Sequence, residues 1–113
     1  VPRAEDFLPL TPLSFHVLVA LRRGARHGYA IGASIEETSG GALRPTTGSL
    51  YQALKRLRAE GLIESAPEPR GERSAGPPRL YFRLSALGRR VAGLEAERLE
   101  TLVGLAREAE MLR

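Results

Sequence analysis

The sequence predicts a mainly α-helical protein with a two-stranded β-wing and a long C-terminal helix, on three observations. Apolar residues recur at three- and four-residue spacing in four separate segments, the pattern of helices with one buried face. Two short apolar stretches, residues 62–65 and 79–84, flank the Pro- and Gly-rich PEPRGERSAGPP and read as paired strands joined by a loop. From residue 86 to 112 the helical pattern then continues for about 27 residues, longer than an ordinary globular helix.

At 113 residues and 42% hydrophobic, the chain has room for one core. It holds no Cys, which removes disulfides, thiolate nucleophiles and Cys-based metal sites and fits a reducing, cytoplasmic setting. The opening VPRAEDFLPL lacks a basic region followed by an apolar run of secretory length, and no apolar stretch approaches the roughly 20 residues of a membrane span. A soluble protein without membrane contact is therefore expected. Charge is uneven along the chain. Residues 1–43 carry four cations and four anions and residues 84–113 carry five of each, so the whole formal +4 falls within residues 44–83. There Arg44, Lys55, Arg56, Arg58, Arg70, Arg73, Arg79 and Arg83 outnumber Glu60, Glu64, Glu68 and Glu72. A local cationic excess favours a polyanionic partner; on charge alone, an ordinary solvated surface is an equal alternative.

Each element has a local cause. Thr11 is a good N-cap and Pro12 suits the first helical position, so helix 1 is expected to run to about Arg23 and stop at Gly24. Leu13, Val17, Leu18 and Leu21 form its core face. Helix 2 is expected over residues 29–38, with Ile31 and Ile35 inward and Gly40-Gly41 ending it. Gly32 inside that helix costs about 1 kcal/mol relative to Ala, which implies close helix packing. The third helix lies in TTGSLYQALKRLRAEGLIES, capped by Thr46 or Thr47, striped by Leu50, Leu54 and Leu57, and terminated by Gly61. At about 100° per residue, Gly48, Ser49, Gln52, Lys55, Arg56 and Ala59 then point outward with Tyr51 on the flank.

That outer face is small at its start and polar or cationic beyond. A helix entering the DNA major groove needs this layout: room for a backbone, N–H groups aimed at phosphate, and long donors that reach base edges. With two short helices before it, the segment completes a helix-turn-helix. The strands add a wing, from which Arg70, Arg73 and Arg79 reach a phosphate backbone or minor groove; a plain surface loop is the alternative. Residues 1–84 are thus expected to form a winged helix-turn-helix with an N-terminal arm, and residues 85–113 a dimerisation helix capped by Ser85. Its apolar surface exceeds what so small a core covers. Leu94, Leu99, Leu102, Val103 and Ala106 are the expected contacts of a homodimer, with the arm at residues 7–10 nearby, against the alternative of a monomer folded back along helix 1.

LTPLSFHVLVAL, HGYAI, GSLYQALKRLRAEGLIES and RLYFRLSALGRRV resemble, in order and spacing, the PadR-like family of bacterial transcriptional regulators over residues 8–113. The resemblance implies a winged helix-turn-helix with a homodimer built by the C-terminal helix, usually a repressor. It places His27, Gly28 and Tyr29 at the turn into helix 2, with His27 a structural side chain bonded to a backbone carbonyl and Tyr29 holding helices or touching phosphate. Tyr51 matches a phosphate contact, and Gln52, Lys55 and Arg56 match groove-facing positions. Because Gln52 and Arg56 lie furthest from the Leu stripe, they are the expected base readers, with Lys55 and Tyr51 mainly on phosphate. Thr46, Thr47 and Ser49 complete the expected DNA-binding set. An effector would sit at the dimer interface, where a chain without Trp offers Leu, Val and Phe15 to a compact apolar molecule.

The leading function is a dimeric repressor on an inverted-repeat operator of double-stranded DNA. The alternative is a winged-helix interaction module that binds protein or RNA, since fold does not fix function. Enzymatic activity is not expected: there are two His, no Cys, no phosphate-cradling Gly loop with a Lys, and no carboxylate pair placed beside a His. No catalytic residue, metal or cofactor is therefore assigned.

Overall fold

Hydroxyl side chains start three of the four helices. Thr11, Thr46 and Ser85 accept hydrogen bonds from the backbone N–H groups of Ser14, Ser49 and Gly88, at 3.1, 3.0 and 2.9 Å. Each satisfies a donor that the helix itself leaves without a partner. The computed structural model describes residues 2–71 and 79–112. In chain order these form a 3-10 turn (Ala4–Phe7), α1 (Pro12–Ala20), β1 (Arg26–His27), α2 (Gly28–Thr38), α3 (Thr47–Ala59), β2 (Ile63–Ala66), β3 (Tyr81–Leu84) and α4 (Ala86–Glu108). The expected class, mainly helical with a small antiparallel sheet, is the class observed.

The apolar stripes converge on one core. Val17 and Leu18 of α1, Ile31 and Ile35 of α2, Leu54 and Leu57 of α3, Leu62, Ile63, Phe82, and Val91 of α4 are all buried in a single cluster. Gly32 lets Leu50 approach closely, because a Cβ there would lie 3.2 Å from the Leu50 Cδ2. The third helix ends as its Gly requires. Gly61 takes φ +79°, its N–H donates to the Arg58 carbonyl at 3.0 Å, and the Leu62 N–H reaches back to the Leu57 carbonyl at 2.9 Å. This double closure satisfies the last carbonyls and turns the chain into β2.

The fourth helix is fastened where β2 begins. Ser85 donates its N–H to the Leu62 carbonyl at 3.1 Å and its hydroxyl to the Gly61 carbonyl. Gly88 faces the same point so closely that an added Cβ would overlap the Leu62 carbonyl.

Several boundaries differ from the expectation, each for a local reason. Helix α1 stops at Ala20, not Arg23, because the Leu21 N–H is shared between the Val17 and Leu18 carbonyls and the last turn tightens toward Gly24 at φ +143°. The sheet has three strands in the order β1-β3-β2, all antiparallel neighbours. The extra strand, β1, pairs Arg26 with Phe82 and His27 with Tyr81, and two residues are too few to show a period. On the other side Ile63 opposes Leu84 and Ala66 opposes Tyr81. Helix α4 ends at Glu108, short of Leu112. Glu110 adopts φ +61°, and the Met111 N–H bonds back to the Ala106 carbonyl at 2.9 Å, closing the helix as Gly61 closes α3. Among the described residues, no helix is long and apolar enough to cross a membrane.

Candidate nucleic-acid interface

The outer face of α3 follows from its inner one. Leu50, Ala53, Leu54 and Leu57 are buried, which leaves Gly48, Gln52, Lys55 and Ala59 exposed on the opposite side. Ala53 widens the inner face toward Arg56, so the expectation that Arg56 lies furthest from the Leu stripe does not hold. Its guanidinium turns back over α1, where Nη2 donates to the Oγ of buried Ser14 at 3.0 Å. Lys55 and Arg56, both expected to point outward, are both exposed, with Lys55 the further from the buried stripe.

At the start of α3, Thr46 and Ser49 are tied to each other. The Thr46 hydroxyl bonds the Ser49 hydroxyl at 2.9 Å, and Ser49 donates to the Thr46 carbonyl at 3.1 Å. Thr47 is exposed beside them. The first turn is therefore held rigidly with its backbone near the surface.

Helix α2 supports the same face. A Cβ at Gly28 would stand 2.5 Å from the Tyr51 hydroxyl, so Tyr51 packs against the start of α2. Tyr29, 78% exposed, projects beside it. The two Tyr and Thr47 line a cleft of about 290 Å³ between α2 and α3. His27 has a structural role: its Nδ1 accepts the Ala30 N–H at 3.1 Å and caps α2. Its ring stacks near Tyr29 with centroids 6.4 Å apart and meets Tyr81 edge-on at 5.4 Å.

The wing contributes Arg70 and Arg79, both exposed; Arg73 lies outside the described residues. Arg79 places Nη1 2.8 Å from His27 Nε2; because Nδ1 accepts from Ala30, the neutral ring carries its proton on Nε2, so the base of the wing approaches the cap of α2 closely without a hydrogen bond between these two nitrogens. Arg83 is occupied by Glu64 directly across the strands at 3.0 Å.

On α4 the proposed contacts divide. Leu94, Leu99 and Ala106 are half-buried by the chain itself, while Leu102 and Val103 are 50% and 43% exposed. Between them sits a group that sequence reasoning left among the solvated charges. Glu95 is 1% exposed, bonds Arg98 through both carboxylate oxygens at 2.6 and 3.1 Å, and accepts the Leu10 N–H at 3.0 Å. The Arg98 hydrogen bond holds its carboxyl below the usual range, outweighing burial, which acts in the opposite direction. The E-x-x-R spacing was visible in the sequence, but the fold that covers it was not.

Three short helices, the third with a small, polar and cationic outer row, and a strand pair beside them define the winged helix-turn-helix class. The chain belongs to the transcriptional regulator PadR-like family, which it matches over residues 17–93. That family is one of transcriptional regulators. It is 42% identical over 88 residues to an uncharacterized 37.1 kDa protein in transposon TN4556 of Streptomyces fradiae, covering 78% of this chain and 23% of that protein. The chain therefore spans about a quarter of the length of that curated relative. Among solved structures, a PadR family regulator of Eggerthella lenta shares 28% identity with a TM-score of 0.62 over 88% of this chain and 83% of its own. A PadR family regulator of Clostridium difficile superposes with a TM-score of 0.72 at 20% identity, covering 87% and 97% of the two chains. Bacillus subtilis PadR, solved in complex with operator DNA, superposes with a TM-score of 0.62 at 23% identity, covering 80% and 48%. The latter two likenesses are of fold.

Proposed function

We propose that the chain represses transcription in the cytoplasm as a homodimer bound to an inverted-repeat operator of double-stranded DNA. Residues 1–84 read the half-site and residues 85–113 join the two copies. The observation that carries this reading is the exposed row Gly48, Gln52 and Lys55 on α3, with Tyr29 and Tyr51 beside the first turn of that helix and exposed arginines, Arg70 and Arg79, on the wing. Gln52 and Lys55 are long enough to reach base edges, and the small Gly48 lets the first turn sit deep in the groove. Thr46, Thr47, Ser49, Tyr29 and Tyr51 surround that turn at the level of the phosphates, and the wing Arg side chains lie against backbone or minor groove. Arg56, held on Ser14, sets the pitch of α3 against α1 and touches DNA only at the groove edge.

One reading helix matches half of a two-fold site, so a second copy is needed. Leu102, Val103 and Leu105, exposed along α4, are the apolar surface for it. A compact apolar effector would bind at that interface, where it can prefer one spacing of the reading helices over another. Selection of bound fragments from random double-stranded DNA tests the reading. Enrichment of an inverted repeat with half-sites about 34–36 Å apart is expected. No enrichment, with capture of RNA or protein in its place, would favour an interaction module.

A further inference from the structure

Resting on that DNA-binding reading, we propose that Arg22, Arg26 and Arg79 form a second phosphate-binding tract that grips the duplex backbone beyond the half-site read by α3. These arginines come from three separate elements: the turn after α1, strand β1 and the base of the wing. The fold brings them to one surface depression of about 540 Å³, lined also by His27, Tyr29 and Glu37. Three guanidinium groups thus share a concavity with a single carboxylate.

Among the described residues the three arginines have no ion-pair partner. The ion pairs among the described residues engage Arg3, Arg44, Arg83, Arg90 and Arg98, and none of the three in the depression. Arg26 is nevertheless half-buried, where a cation without a counter-charge is unfavourable. Arg22 commits Nη1 to the Val19 carbonyl at 2.9 Å, which holds its head in place, and the Arg79 guanidinium lies beside His27. A guanidinium carries five N–H donors, and the remaining ones suit phosphate oxygens.

Continuity with the reading face fixes the partner. Tyr29 lines both this depression and the cleft that contains Thr47 and Tyr51, so a strand leaving the first turn of α3 crosses Tyr29 and arrives at the three arginines. The helix before a recognition helix crosses the DNA backbone in this way. Glu37 repels phosphate at the far rim and confines the path to the side of α1 and β1.

The test uses the full chain, its selected operator and the double variant Arg22→Gln/Arg26→Gln, with Arg3→Gln/Arg107→Gln as a charge-matched control. The plot of log affinity against log salt should become shallower by about 3.6 for the double variant, because a dimer on the full operator loses four phosphate contacts at about 0.9 each, and stay unchanged for the control. Loss should be equal on operator and random duplex. Trimming the flanking base pairs should weaken the wild type and leave the double variant indifferent. An unchanged slope in the double variant, or the same loss in the control, overturns the tract while leaving the DNA-binding reading intact. A wild type that binds no duplex overturns both.

Discussion

Gln52 and Gly88 show how differently single residues contribute. Gln52 touches nothing that the fold needs, and its replacement by Ala should cost about 1–3 kcal/mol on the cognate operator, little on random DNA, and nothing in thermal stability. Equal losses on both sequences would show that it contacts backbone only. Gly88 is the reverse case. Its missing side chain is occupied by the Leu62 carbonyl, a backbone atom that cannot step aside. Gly88→Ala should therefore destabilise the fold by about 3 kcal/mol, measured by denaturant unfolding, whether or not DNA is present. The sequence showed that Gln52 faces outward, because the Leu stripe fixes the rotation of α3. It did not distinguish Arg56 from Lys55, since that depends on Ser14 of another helix, forty-two residues away in the chain. Gly88 looked like an ordinary helical Gly; only the crossing of α4 over Leu62 gives it a role.

Elements with their own punctuation were legible. Thr11-Pro12, Thr46 and Ser85 mark where helices start, and Gly61 where α3 stops, because caps act within a few residues. Stops set by backbone conformation at a non-Gly residue, such as Glu110 after α4, leave no such mark. Strand β1 was invisible for a related reason: its two residues become a strand only when β3 is beside them. The surplus apolar surface of α4 was legible as a sum, and its exposed part is Leu102, Val103 and Leu105. Placing Glu at both Leu102 and Val103 should convert a dimer to a monomer by light scattering and weaken full-operator binding at least tenfold, with helix content retained. A variant that remains dimeric would move the interface elsewhere.

At the scale of the whole molecule, Glu95 joins its two ends. Through the Leu10 N–H it fixes the N-terminal arm to α4, and through Arg98 it is charge-balanced. Because its folded carboxyl titrates below the unfolded value of about 4.3, its stabilisation is present above that pH and is lost as pH falls through the folded value. Glu95→Gln should thus lower stability by about 1–2 kcal/mol at pH 7 and by less near pH 3, with the difference read from unfolding curves at the two pH values. A pH-independent deficit would assign the effect to packing. In the local sequence only the Arg98 spacing separates Glu95 from Glu97 or Glu100; its burial is selected by long-range topology.

The joint between Gly61, Leu62, Ser85 and Gly88 has a mechanical consequence. It welds the end of the reading helix to the start of α4, so the two behave as arms of one lever pivoting on the core. At 1.5 Å per residue the 23-residue α4 is about 34 Å long, and a tilt of about 10° moves its far end by roughly 6 Å. Run in reverse, in the proposed dimer a shift of about 6 Å at that far end turns the 13-residue α3, about 20 Å long, by the same roughly 10° and moves its end by about 3.4 Å, one base-pair step. A lever this stiff converts a modest repacking at the tail into a change of reach at the groove, and loosening its pivot, as Ser85→Ala would, should uncouple the two.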